Sequence, residues 1–139
     1  MNKMLVFDMD GTIADLYGVD NWLESLHAED TRPYEVAEPL VNMELLNGVL
    51  KALQACGWQI AVTTWLAKGA TRKYDAAVRE VKIAWLEKYN FPYDEIHLVK
   101  YGRTKADCTR HKGGFQILID DNEKNQKWVD VRTYNRCRK

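Results

Sequence analysis

Apolar residues recur along this chain in two patterns. Short unbroken runs alternate with longer stretches in which they return every three or four positions. The run from Lys3 to Asp8 is apolar without alternation and ends in a turn, the signature of a buried central strand. Gln59 to Thr63, Glu95 to Val99 and Phe115 to Ile119 repeat that signature, and Trp128 to Tyr134 reads as a final edge strand. Between them Leu45, Leu46, Val49, Leu50 and Leu53 keep helical spacing, with Gly57 standing as a stop signal. A longer helical stripe runs through Tyr74, Ala77, Val78, Val81, Trp85 and Leu86 and ends near Asn90 and Pro92. Asn21 to Ala28 predicts a short helix with Trp22, Leu23 and Leu26 on one side, and Pro33 and Pro39 bracket a predicted loop.

Strands that alternate with helices predict an α/β fold, a Rossmann-like three-layer sandwich on a mostly parallel sheet with right-handed crossovers. Ligand sites in such sheets lie beyond the carboxyl ends of the strands. Four strand ends here carry polar groups: Asp8 and Asp10, Thr63 and Thr64, the basic residues after Val99, and Asp120 with Asp121. Setting so many polar groups beside a core is costly without a ligand to satisfy them.

The first strand end is the most informative. In extended chain Asp8 and Asp10 share a side, about 6 to 7 Å apart, and two carboxylates so close call for a cation. The hard, oxygen-seeking candidate is Mg²⁺. Gly11 permits a tight turn beneath a ligand, and the free amides after the strand are expected to face an anion. A calcium loop is disfavoured, because Ile13 stands where an oxygen ligand is needed.

Composition narrows the class. With 139 residues, 46% hydrophobic and 29% charged, the chain predicts one folded domain over 1–139, and no run approaches the length of a membrane helix. The apolar start meets Asp8 too early for a signal peptide, so a cytoplasmic location is expected. Cys56, Cys108 and Cys137 are odd in number and far apart, which suits a reducing compartment; Cys108 and His111 lack a second pair to complete a zinc site. Net charge is zero but uneven: Ile13 to Leu50 is acidic, whereas Lys100, Arg103, Lys105, Arg110 and Lys112 form a local basic patch suited to a phosphate rather than to a long nucleic acid.

Taken in order, these residues resemble the haloacid-dehalogenase-like phosphohydrolase superfamily. Its first motif is similar to Asp8-Met9-Asp10-Gly11-Thr12, its second to Thr64, with Thr63 as the alternative, its third to Lys105, and its fourth to Asp120-Asp121. The resemblance implies phosphoryl transfer through an aspartyl-phosphate on Asp8, with Asp10 as acid and base. Thr64 would bond a phosphoryl oxygen, and Lys105 would stabilise transferring charge. Asp8, the Asp10 carbonyl and Asp121, with Asp120 beside it, would hold Mg²⁺. Met9, Gly11, Thr12, Thr63 and Trp65 would complete the phosphate site. The sequence departs from the pattern at Trp65, where a small residue is usual, and at Asn125, where an acid is usual.

The segment at about 15–43 occupies the family's cap position and is long enough for one or two small helices. So open a site takes larger substrates or is closed by a second copy of the chain, as a homodimer. The stretch from Lys73 to Tyr89, with the third and fourth strands, resembles the 5′(3′)-deoxyribonucleotidase group, which implies a nucleotide as the small phosphomonoester. Tyr17, Trp22, Tyr34 and Trp65 are candidates to stack on its base. The compact layout also resembles the phosphatase half of polynucleotide kinase/phosphatases, so a 3′-phosphatase or another small-molecule phosphatase is the alternative. Of another class is a phosphate-binding or phospho-aspartate signalling module; in receiver domains, however, the acidic pair comes first and the lysine last, the reverse of the order here.

Overall fold

The structure, a computed structural model, describes residues 2–103, 105–109, 113–121 and 131–134. Arg110, His111, Lys112, Asn125, the start of the predicted edge strand at Trp128, Cys137 and the basic tail lie outside the described residues.

The fold is α/β, a Rossmann-like three-layer sandwich whose strands are all parallel. Its elements are β1 (Lys3–Phe7), α1 (Trp22–His27), α2 (Arg32–Val36), α3 (Met43–Ala55), β2 (Trp58–Trp65), α4 (Arg72–Lys88), β3 (Glu95–Val99), β4 (Phe115–Ile119) and β5 (Val131–Tyr134). Single 3-10 turns form at Leu16–Gly18 and Lys105–Cys108. The sheet order is β3-β2-β1-β4-β5. From β1 the chain steps outward through β2 to β3, then returns across the sheet to pair β4 with β1. The order therefore switches between β1 and β4, where a parallel sheet opens a crevice at its carboxyl edge.

Alternation sorts the two faces. Leu5, Phe7, Ile60 and Val62 pack with Leu50 of α3 and with Trp85 and Leu86 of α4. Met4, Val6, Ala61 and Leu118 form the opposite layer. Each large aliphatic side chain so buried contributes on the order of 1.5–3 kcal/mol, which helps offset the charges buried at the strand ends. Register sets those ends level: Phe7 lies beside Val62 on one side and Ile119 on the other.

Helix boundaries follow local chemistry. Asn42 caps α3 by accepting from the Leu45 amide at 3.1 Å, and Gly57 takes up a φ of +92° just past its end. The Thr71 hydroxyl caps α4 by accepting from the Tyr74 amide. The loop expected between Pro33 and Pro39 is in part a helix, α2. Pro33 sits in its first turn, where a missing N–H costs nothing. Two apolar stripes are less buried than their spacing suggests: Leu23, Leu45 and Val49 are exposed. The Trp85 indole donates to the Ala37 carbonyl at 2.8 Å and pins the end of the 15–43 segment to α4. No helix among the described residues is long and apolar enough to cross a membrane.

Candidate active site

The carboxyl edge carries two buried lysines, one on each side of the sheet, and each holds one aspartate of Asp8-Met9-Asp10. Asp8 continues the Val6 face, with its amide still bonded to the Ile119 carbonyl at 2.9 Å. Leu118 and Ala61 share that face, so alternation puts Asp120, Thr63 and Trp65 on it as well. Lys105, from the 3-10 turn after β3, enters from the same side. Its Nζ donates to Asp8 Oδ1 and, at 3.1 Å, to Asp120 Oδ2. It also lies 4.7 Å from the centre of the Trp65 ring. Thr12 Oγ1 donates to Asp8 Oδ2 at 3.1 Å, so both oxygens of Asp8 are held.

Burial pushes the Asp8 carboxyl well above the usual carboxylate range, with Lys105 pulling against that and Asp120 and Asp10 adding to it. Burial alone would lower the Lys105 ammonium; Asp8 and Asp120 outweigh it and raise the group instead. Asp121 is raised as well, first by burial and then through Asp120. Ligand oxygens of Asp8, Asp120 and Asp121 lie within 4.8 Å of one another. With Asp10, four carboxylates face two ammonium groups, an acidic surplus that suits a hard divalent cation with oxygen ligands.

Gly11 makes this crowding sterically feasible. Its φ is +81°, and a Cβ there would collide with Asp121 Oδ2 and lie 2.8 Å from the Tyr17 ring. The amides from Gly11 onward are spent inside the turn: Gly11 N–H donates to the Ala14 carbonyl, and those of Thr12, Ile13 and Ala14 all donate to the Met9 carbonyl. Gly11 and Thr12 shape the turn, and Thr12 holds Asp8. Met9 is 1% exposed and packs in the core, so its side chain offers the site no polar group.

On the other side of the sheet lies a residue that the sequence reading missed. Lys82 of α4 is wholly buried and donates to Asp10 Oδ2 at 2.8 Å, Thr64 Oγ1 at 2.7 Å and the Trp65 carbonyl at 2.9 Å. The signal was present: Tyr74, Val78, Lys82, Trp85 and Leu86 form the buried stripe of α4, and a lysine within such a stripe demands an anionic partner. The two threonines thus separate. Thr64 joins Lys82, whereas Thr63 lies beside Asp8 by register, fully buried with no partner for its hydroxyl among the described residues.

A cleft of about 660 Å³ opens above these residues, lined by Asp10 and by the four predicted aromatics, Tyr17, Trp22, Tyr34 and Trp65. Tyr17 and Trp22 meet edge to face at 5.0 Å. Tyr101, which sequence reasoning passed over, is half exposed and lies 5.2 Å from Trp65 across the cleft wall. The Trp65 indole donates to the Arg103 carbonyl at 2.8 Å, which fixes the ring. Burial, then Asp10, raises the phenol pKa of both Tyr17 and Tyr34, so each stays neutral.

No protein-family model matches the chain, and a search of curated proteins finds no match.

Proposed function

We propose that the protein is a Mg²⁺-dependent phosphomonoester hydrolase of the haloacid-dehalogenase-like superfamily that works through an aspartyl-phosphate on Asp8, in the cytoplasm. The observation that carries the reading is the meeting, at one strand-switch crevice, of a buried Asp8 held by Lys105 with Asp10, Asp120 and Asp121 around it. Solvated strand-end acids would not be buried, nor would they bring in two buried lysines.

In this reading an Asp8 carboxylate oxygen attacks phosphorus as the bond to the leaving oxygen breaks, and Asp10 gives that oxygen a proton. Water then attacks the phosphorus of the acyl phosphate, Asp10 takes its proton, and inorganic phosphate leaves with Asp8 restored. Lys105 neutralises charge on Asp8 and on the transferring group. Thr63 is the better-placed hydroxyl for a phosphoryl oxygen, because it is buried beside Asp8 and unpaired, whereas Thr64 is engaged by Lys82. Asp8, Asp120, Asp121 and the Asp10 carbonyl would hold Mg²⁺, which when bound neutralises phosphate charge.

The cleft supports a nucleotide as substrate. Its aromatic and aliphatic lining, with Asp10 among the residues, suits a nucleoside leaving group, and its volume suits one nucleotide better than a long strand. The test is phosphate release from 3′- and 5′-nucleoside monophosphates, a 3′-phosphorylated oligonucleotide and sugar phosphates, with and without Mg²⁺. Turnover lost without Mg²⁺ and in Asp8→Asn is the expected result. No release from any substrate would favour a phosphate-binding or signalling module, and preference for the oligonucleotide would favour a polynucleotide 3′-phosphatase.

A further inference from the structure

We propose that Lys82 is the positioning residue for Asp10, and that the 15–43 segment serves to seal this lysine from water. The inference rests on the phosphatase reading above and adds a residue that lies outside the strand-end motifs. An ammonium has three protons, and all three of Lys82 are committed, to Asp10 Oδ2, Thr64 Oγ1 and the Trp65 carbonyl. No proton is left for a phosphate, and the side chain is 0% exposed. Lys82 therefore acts through its neighbours.

Two of its three acceptors are neutral, so Asp10 is the charge that justifies burying it. The bond fixes Oδ2 and leaves Oδ1 to exchange a proton with the leaving group. Thr64 and the Trp65 carbonyl, at the end of a buried central strand, keep the ammonium from following Asp10 if that side chain turns. Above them Tyr34 of α2 lays its ring 4.9 Å from Nζ, a contact to Lys82 from the cap segment. Tyr34 is 4% exposed and packs with Leu16, Tyr74 and Val78. The short cap thus covers a catalytic support as well as lining the cleft above Asp10.

The leaving group provides the test. An alkoxide, as in a nucleoside 5′-monophosphate, needs a proton to depart; the nitrophenolate of 4-nitrophenyl phosphate leaves as a stable anion. In Lys82→Met, kcat on the nucleotide should fall about 10²-fold or more, the scale of a positioned acid. On 4-nitrophenyl phosphate it should fall by less than about tenfold, with KM little changed for either. Lys82→Gln, which keeps two N–H donors and the fold of a polar contact, should show the same discrimination to a lesser degree. Asp10→Asn should reproduce the discrimination, and adding Lys82→Met to it should cost little more. Equal loss on both substrates in a folded variant, or a rise confined to KM, would overturn the proposal and assign Lys82 to packing or to phosphate binding. A wild type inactive on both substrates would instead overturn the phosphatase reading itself, and this inference with it.

Discussion

The two lysines at the strand ends are both buried and both paired to aspartates, yet they are held very differently. Lys105 rises from a 3-10 turn and bridges two carboxylates, Asp8 and Asp120, beside the three-acid cluster. Lys82 rises from the middle of a 17-residue helix and spends two of its bonds on neutral oxygens of β2. A charge that must respond to a reaction is best placed among other charges, where its interactions change as the reaction proceeds. A charge that must hold a geometry is best placed among neutral, rigid acceptors. In the phosphatase reading proposed above, the contrast separates the side of the sheet where charge moves from the side that steadies a proton donor.

Substitutions sharpen or break that contrast. Asp8→Asn should lower turnover by about 10⁴-fold or more on every substrate, whatever its leaving group, as loss of a nucleophile does. A leaving-group dependence in that variant would place the nucleophile elsewhere. Lys105→Met should cost roughly 10² to 10³ in kcat, equally for alkyl and aryl phosphates, if it stabilises the transferring group as proposed. An unequal loss would make the two lysines equivalent and dissolve the comparison.

Smaller effects concern stability. Mg²⁺ should raise the thermal midpoint of the wild type by a few degrees, about what mass action gives well above Kd, and Asp121→Asn should reduce that rise. Gly11→Ala, which forces a Cβ against Asp121 and Tyr17 at positive φ, should destabilise by about 1–3 kcal/mol in urea titration. A neutral result there would mean that the turn joining the two aspartates can relax.

The smallest effect tests the attachment of the cap. Tyr74 donates its hydroxyl to the Asp30 carbonyl at 2.8 Å, and burial, aided by Asp30 and Glu29, pushes its phenol up to about 12. A raised phenol pKa favours the protonated, folded form. Its contribution is therefore complete below pH 10 and is lost as pH climbs from 10 through about 12. Tyr74→Phe should lose about 1 kcal/mol at neutral pH and show a shallower alkaline decline, read by thermal midpoints across pH 8 to 12.

Much of this was written in the sequence. The apolar runs at Lys3, Gln59, Glu95 and Phe115 could only be buried strands, because unbroken β-rich runs bounded by turns have nowhere to go but a sheet covered on both faces. The stripe from Tyr74 to Leu86 had to be a helix, and four polar strand ends had to share one edge once the strands were parallel. Local rules also marked Gly11 and Gly57. The predicted loop at Pro33 failed on a local point: proline opens a helix as readily as it breaks one.

What the sequence left open depended on distance in space. Thr63 and Thr64 are adjacent in the chain and equivalent in chemistry; only pairing of β2 with β1 sends one toward Asp8 and the other toward Lys82. The bond from Lys82 to Asp10 spans 72 residues, and no spacing rule reaches so far. Residue types and their local periods determined which elements form and which groups stand at their ends. Tertiary structure alone decided which of those groups meet, because register and packing, unlike periodicity, are properties of pairs of segments.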